Sequence, residues 1–254
     1  MERVKADAGK RRDVGWRIAG VVAPVAFGLL LVTCSVWLVA GNTRLHDQLF
    51  ERHRVTVATG LSADAVRDVN RQVIDYFASD AEPLSVTTTL YGATDVALFD
   101  ASEVSHMADV KQLLLRTYRV LGASTLFLLV LLAGALIVRR ERAGEEVATW
   151  LRRGALGTAA AILVIGLATV VAFGPVFRLF HLLGFPQGNF TFNASTSYLV
   201  RIYPAGFFQD MALIIGALTL TGAALAWLAA RAYMRRRNAA SEREAGASEA
   251  TPRA

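Results

Sequence analysis

The stretch "VLGASTLFLLVLLAGALIVRRERAGEEVATWLRRGALGTAAAILVIGLATVVAFGPVF" covers residues 120–177. It reads apolar, then charged, then apolar. Residues 120–138 and 154–177 carry no charge, while residues 139–153 hold five arginines and three glutamates. A helix crossing about 30 Å of hydrocarbon needs about 20 predominantly apolar residues. Both flanks are long enough, and neither shows the polar face of a soluble core helix. The pattern predicts two antiparallel membrane helices joined by a short basic turn.

The same test applied outward finds two more uncharged windows, residues 18–43 and 211–230. The expected fold is an all-α polytopic membrane protein. Four transmembrane helices lie at 18–43, 120–138, 154–177 and 211–230. A polar lead, 1–17, precedes them, and 139–153 is the short loop between spans two and three. Residues 44–119 form a small α+β extracytoplasmic cap, and 178–210 a second outer loop. The Arg-, Ala-, Glu- and Ser-rich tail, 231–254, has the composition of a disordered segment. The first window has a basic flank and a small-residue site at Val39-Ala40-Gly41. Its apolar run exceeds the roughly 7–15 residues of a signal core, which predicts an uncleaved anchor. Cys34 is the one cysteine, so the chain has no intramolecular disulfide and no metal-binding cysteine pair.

The net charge of +6 invites a nucleic-acid partner. Its distribution argues for a membrane instead. Six Lys/Arg precede the first span, five separate spans two and three, and six follow span four. The loop between spans three and four holds only Arg178 and Arg201. Cytoplasmic loops of membrane proteins carry this excess. Both termini are therefore expected in the cytoplasm, with the cap and second loop outside. Membrane lipid is an expected partner; nucleic acid is not.

Within the cap, "SADAVRDVNRQVIDYF" predicts a helix with Ser62 as N-cap and Val66, Val69, Val73 and Phe77 as one stripe. "SVTTTLYG" and "TDVALF" predict two strands that turn near Gly92. Asp100 and Glu103 have capping-box spacing, so a helix starts near Ala101 and runs into span two. Span three continues through His181 toward Gly184 and Pro186, with Pro175 able to bend it.

The four windows contain no Asp, Glu, Lys, Arg or His. Pumps and ion-coupled transporters place such groups inside the membrane, so that class is disfavoured. The candidates gather outside. His106 lies 32 residues from Val138, and His181 lies 27 residues from Gly154. At 1.5 Å per residue these are roughly 48 and 40 Å of helix. Both imidazoles are thus expected near the same height, at the outer headgroup layer. Glu103 and Asp109 share the helix of His106, and a carboxylate near an imidazole fixes its tautomer. The spacing alone fits better a solvated helix with an incidental histidine, or a snorkelling interfacial helix. A two-histidine metal site with Glu103 or Asp109 as third ligand lacks any supporting motif.

Glu103-x-x-His106-Met107-x-Asp109-Val110-Lys111, ahead of a membrane helix, resembles the "E-x-x-H-M-x-D-V-K" segment of the lipoprotein intramolecular transacylase (Lit) family. Phe180-His181 and "YLVRIYPAGFFQD" are similar to that family's second region. The resemblance spans about residues 15–235. Two departures stand out. Leu183-Gly184-Phe185 replaces a pair of phenylalanines after the histidine, and Phe190 stands where a tryptophan is expected.

The resemblance implies a bacterial cell-membrane acyltransferase. Its substrate is a lipoprotein whose N-terminal cysteine carries diacylglyceryl and a free amine. The sn-2 acyl chain moves from glyceryl oxygen to that amine, giving a lyso-form lipoprotein. His106 and His181 are the implied catalytic pair, and no metal or cofactor is needed. An α-ammonium has a pKa of about 7.7–8.0, so an imidazole can take its proton. Glu103 or Asp109 are candidates to orient His106. Lys111, Asn189, Tyr198 and Arg201 are candidates to stabilise the oxyanion. The competing reading is a non-enzymatic scaffold or partner-binding protein of the cell envelope.

Overall fold

The computed structural model describes residues 2–249, with side chains described for 15–243. Among them α1 spans Glu2–Ala40, α2 Thr43–Arg52, α3 Val55–Thr59 and α4 Ala63–Ala78. A hairpin follows, with β1 at Thr87–Leu90 and β2 at Ala93–Ala97. Then come α5 (Ala101–Gly134), α6 (Ala143–Val171), α7 (Phe173–Gly184), α8 (Tyr198–Ile202) and α9 (Ala205–Glu249). The architecture is mostly helical with a small two-stranded sheet. Three helical stretches are long and apolar enough to cross a membrane: Gly15–Ala40, Ala101–Val171 and Ala205–Arg243. The expected count was four. The difference lies in the middle stretch, where 71 residues run on as helix. A π turn at Ala135–Arg139 and a 3₁₀ turn at Arg140–Arg142 connect α5 to α6 without a non-helical residue. Arg140 sits there at φ 30°, in the left-handed region where side chains are strained.

Three further boundaries differ from the sequence expectation. The lead is helical, since α1 begins at Glu2. The tail stays helical through Glu249, because Ala, Arg and Glu are strong helix formers, and Arg237 within it pairs with Glu145 at 3.0 Å. The last tail residues, 250–254, lie outside the described ones. Span three does not run unbroken to His181. Ala172 leaves the helix at φ −143°, ψ 53°, and α7 starts afresh. Pro175 explains this, because its ring clashes with the carbonyl four residues back, at Val171.

The chain divides into two compact units. One comprises the described parts of 1–32 and 218–254 together with Val120–Leu163. Its helices meet through small residues: Ala19, Ala23, Ala135, Ala155, Ala223 and Ala230 are all buried. At Gly154 an added Cβ would stand 2.7 Å from the Pro24 carbonyl oxygen, so α1 and α6 touch backbone to backbone there. Trp16 and Trp150 stack at 6.1 Å, with Arg139 over the Trp16 ring and paired to Glu146.

The other unit comprises Thr33–Arg119 and Val164–Ala217. Its core resembles that of a small soluble domain. Leu49, Phe50 and Val55 meet Val66, Val69 and Val73 of α4, the hairpin flanks Val86 and Leu98, and Ile202, Tyr203 and Phe207. The predicted helix and turn chemistry holds here. Ser62 caps α4 by accepting from the Ala65 N–H at 3.2 Å. β1 and β2 pair antiparallel, Thr88 opposite Val96. Tyr91 and Gly92 turn the hairpin at φ 51° and 86°, and glycine meets that demand without a Cβ clash.

Candidate active site

The motif on α5 resolves into two interleaved ladders. Glu103, Met107 and Lys111 recur at i, i+4 and are all buried, at 2%, 5% and 3% exposure. This ladder is structural. Asp100 caps the helix by accepting from the Ser102 and Glu103 N–H groups, and one Glu103 carboxylate oxygen accepts from the Asp100 N–H at 2.8 Å. That completes the capping box. The second Glu103 oxygen accepts from Ser197 Oγ at 2.5 Å and from the Leu199 N–H at 2.9 Å. Glu103 thereby ties the start of α5 to the start of α8, where Ser197 is also the N-cap. Met107 enters the apolar core. Lys111 donates to the Ala81 carbonyl at 2.7 Å, pairs with Glu82 at 3.5 Å and lies over the Tyr76 ring. Its ammonium is occupied by the 79–86 segment.

The second ladder holds Ser105, His106 and Asp109. The His106 and His181 rings stack at 6.0 Å between centroids, with 20° between their planes. Both are buried, at 7% and 8% exposure. Phe185 packs against both, at 4.8 Å from His106 and 5.4 Å from His181. Phe192 adds to His106, and Phe177, Phe180 and Phe190 add to His181. The two imidazoles therefore sit in a phenylalanine cage. Phe185, the last residue of the altered Leu183-Gly184-Phe185 stretch, supplies the ring that touches both imidazoles. Gly184, at the end of α7, lies beside Leu113 of α5, one turn beyond Asp109.

The hydrogen bonds assign part of the proton inventory. His181 Nδ1 lies 2.7 Å from the Phe177 carbonyl. A carbonyl only accepts, so Nδ1 carries the proton and Nε2 presents its lone pair. His106 Nδ1 is buried and has no hydrogen-bond partner among the described residues. A second proton on this stacked pair would set two like charges among apolar rings, a costly arrangement.

The remaining candidates separate clearly. Asp109 accepts from Asn189 Nδ2 at 2.7 Å, and the same amide nitrogen reaches Ser105 Oγ at 3.3 Å. Asn189 thus joins the loop after α7 to the histidine ladder. Tyr198 and Arg201 form a cation–π pair at 4.0 Å, and Arg201 Nε donates to the Ser197 carbonyl at 3.1 Å. The contacts of Glu103, Lys111, Tyr198 and Arg201 thus run to Ser197, Ala81 and each other rather than to an imidazole. No cluster of three His, Cys, Asp or Glu suited to a metal occurs among the described residues. Sequence reasoning missed Phe185, the Phe177 carbonyl and Ser197. Only Ser197 had a readable signal, as a serine before a short apolar helix.

A family model described as lipoprotein intramolecular transacylase Lit matches residues 21–208. The solved structure of the membrane integral lipoprotein intramolecular transacylase Lit from Bacillus cereus superimposes with a TM-score of 0.75 at 16% identity, covering 89% of this chain and 99% of that one. A variant of that protein with one histidine changed to arginine gives a TM-score of 0.73 at 15% identity, covering 93% and 99%. At such identities the likeness is one of fold. Sequence comparison with curated proteins finds no match.

Proposed function

The chain belongs to the lipoprotein intramolecular transacylase family of membrane enzymes, and from that premise we propose the following reaction and topology. The substrate is a diacylglyceryl-cysteine lipoprotein with a free N-terminal amine. The enzyme moves its sn-2 acyl chain to that amine, leaving a lyso-form lipoprotein. The observation that carries this reading is the buried imidazole pair, with one ring held as the Nδ1–H tautomer.

His181 Nε2 takes one proton from the α-ammonium. The amine attacks the sn-2 ester carbonyl; a C–N bond forms and the bond from acyl carbon to glyceryl oxygen breaks. Once His181 has released that proton, His106 is the second relay, passing the surplus proton from the new amide nitrogen to the departing glyceryl oxygen, so the two rings are never charged together. The products are an amide, a glyceryl hydroxyl and one proton released. Nucleophile and ester belong to one molecule, so the protein contributes mainly orientation and proton transfer. The phenylalanine cage keeps water from competing with the amine.

We place four spans in the membrane, two of them within Ala101–Val171. A straight helix of that length would measure about 105 Å, over three times the hydrocarbon core. His106 near its start and His181 beyond its end stack at 6.0 Å, so the chain doubles back. The strained Arg140 marks the reversal. The placement of Lys and Arg then assigns both termini to the cytoplasm and the imidazoles to the extracytoplasmic face.

Mass spectrometry of the N-terminal lipopeptide of a co-expressed lipoprotein tests the reaction. The intact chain should yield N-acyl, mono-O-acyl product. A lipopeptide whose amine stays free would defeat the proposal.

A further inference from the structure

We propose that Asn189 and Asp109 form the seat for the substrate's α-ammonium, and so decide which lipoproteins the enzyme accepts. This rests on the transacylase reading above. Before its contacts are known, an asparagine at this position looks like a donor for the oxyanion. The contacts argue otherwise. The Asp109 carboxylate accepts only, so the atom 2.7 Å from it must be the amide nitrogen of Asn189. That nitrogen also reaches Ser105 Oγ. The amide's donors are spent.

What remains is the Asn189 carbonyl oxygen. It is buried and has no partner among the described residues. A buried acceptor in this state calls for a donor. Asp109 adds negative charge beside it, with only one of its oxygens bonded to Asn189. Both residues reach the imidazoles through immediate neighbours. Asp109 is one helical turn from His106, and Phe190, the neighbour of Asn189, packs on His181 at 5.2 Å. His106 Nδ1 likewise lacks a partner.

The ligand that answers two acceptors and a negative charge is a primary ammonium. It brings three N–H donors and one positive charge. One donor meets the Asn189 oxygen, one the Asp109 carboxylate, and the third points to an imidazole that takes the proton. An N-acylated terminus brings one N–H and no charge. The seat therefore holds substrate and releases product, and it rejects lipoproteins already acylated on nitrogen.

The test uses the full chain in nanodiscs and a lipopeptide whose sn-2 chain is ether-linked, which cannot migrate. Binding is compared between its free-amine and N-acetyl forms. The wild-type chain should prefer the free amine by roughly 10-fold or more, the range of a charge-assisted hydrogen bond. Asn189→Leu and Asp109→Asn should each bring the ratio to within about twofold of unity, while N-acetyl binding stays near the wild-type value. A preference that survives both substitutions overturns the proposal. Equal loss of both ligands also overturns it, in favour of a structural role. A parallel assay with the ester lipopeptide separates the two readings. Amine preference without acyl migration defeats the transacylase reading alone; migration with the preference intact in both variants defeats the seat alone.

Discussion

Two buried histidines in the same unit face opposite fates. His46, in the cap core, is 5% exposed and lies against Phe50 and Phe207. His106 is 7% exposed and lies against Phe185 and Phe192. Burial and aromatic company do not distinguish them. Hydrogen bonding does. His46 has a neighbour at each nitrogen, the Asn70 side-chain amide at Nδ1 and the Val39 carbonyl at Nε2, both at 3.2 Å. It closes a network that also holds Tyr203. The Nδ1 atom of His106 has none among the described residues. One ring is consumed by the fold, and the other keeps an atom in reserve. A ring with both nitrogens partnered serves the fold, and a ring with an unpartnered nitrogen beside a second imidazole is the candidate for chemistry.

Substitutions can break this contrast. The largest effect is expected at the imidazole pair. His106→Ala and His181→Ala should each lower acyl transfer by about 10²-fold to 10⁴-fold, the usual worth of a positioned acid or base. Each change also removes a buried ring and should lower the melting temperature about as much as His46→Ala does, so activity is compared per folded molecule; acyl transfer retained on that basis would reverse the assignment. Next comes Glu103→Ala, which strands the buried Ser197 hydroxyl and Leu199 N–H. It should cost on the order of 3 kcal/mol of stability, read by thermal unfolding in detergent. Glu103→Gln should recover part of that, because its amide oxygen can still accept.

His46→Ala is the mirror of the first test. It should cost about 2 kcal/mol through a lost ring and stranded polar partners, with acyl transfer per folded molecule unchanged. Acid sharpens the same point. Burial holds the His46 pKa below the ordinary 6.5, against the opposing pull of the Asn70 bond, the Val39 bond and Asp47. The folded state therefore binds this proton less readily than the unfolded chain. Its contribution is whole above pH 6.5 and is lost as pH falls from there toward the lowered value. The melting temperature should drop between pH 7.5 and 5.5, and His46→Phe should flatten that slope. The smallest effect belongs to the exposed Asp64–Arg67 pair at 2.9 Å. Asp64→Ala should leave both melting temperature and activity where they were.

The features readable in advance are those set by local spacing. Uncharged windows, the Val66-Val69-Val73 stripe, the turn at Gly92 and the Asp100–Glu103 box each depend on residues a few positions apart. The helix-rise estimate also brought His106 and His181 to one level, without the break at Ala172. What escaped depends on distant partners. Glu103 looked like an orienting group for His106, yet its second oxygen belongs to Ser197 and Leu199, over 90 residues later. Lys111 looked free for an oxyanion until Ala81 and Glu82 claimed it. Asn189 looked free to donate to an oxyanion until Asp109 took its amide nitrogen. Side-chain chemistry is legible from spacing only where the partner lies on the same turn.

The bond from His181 to the Phe177 carbonyl has a consequence for how this enzyme can evolve. The acceptor is main chain, one turn back along α7. Every amino acid supplies that oxygen. Position 177 can therefore exchange its side chain, for instance to suit a different acyl chain, and the imidazole keeps its tautomer. In a triad held by a side-chain carboxylate, one missense change removes the orienting group. Here the orienting group is inherited with the helix, and only a change that unwinds α7 takes it away.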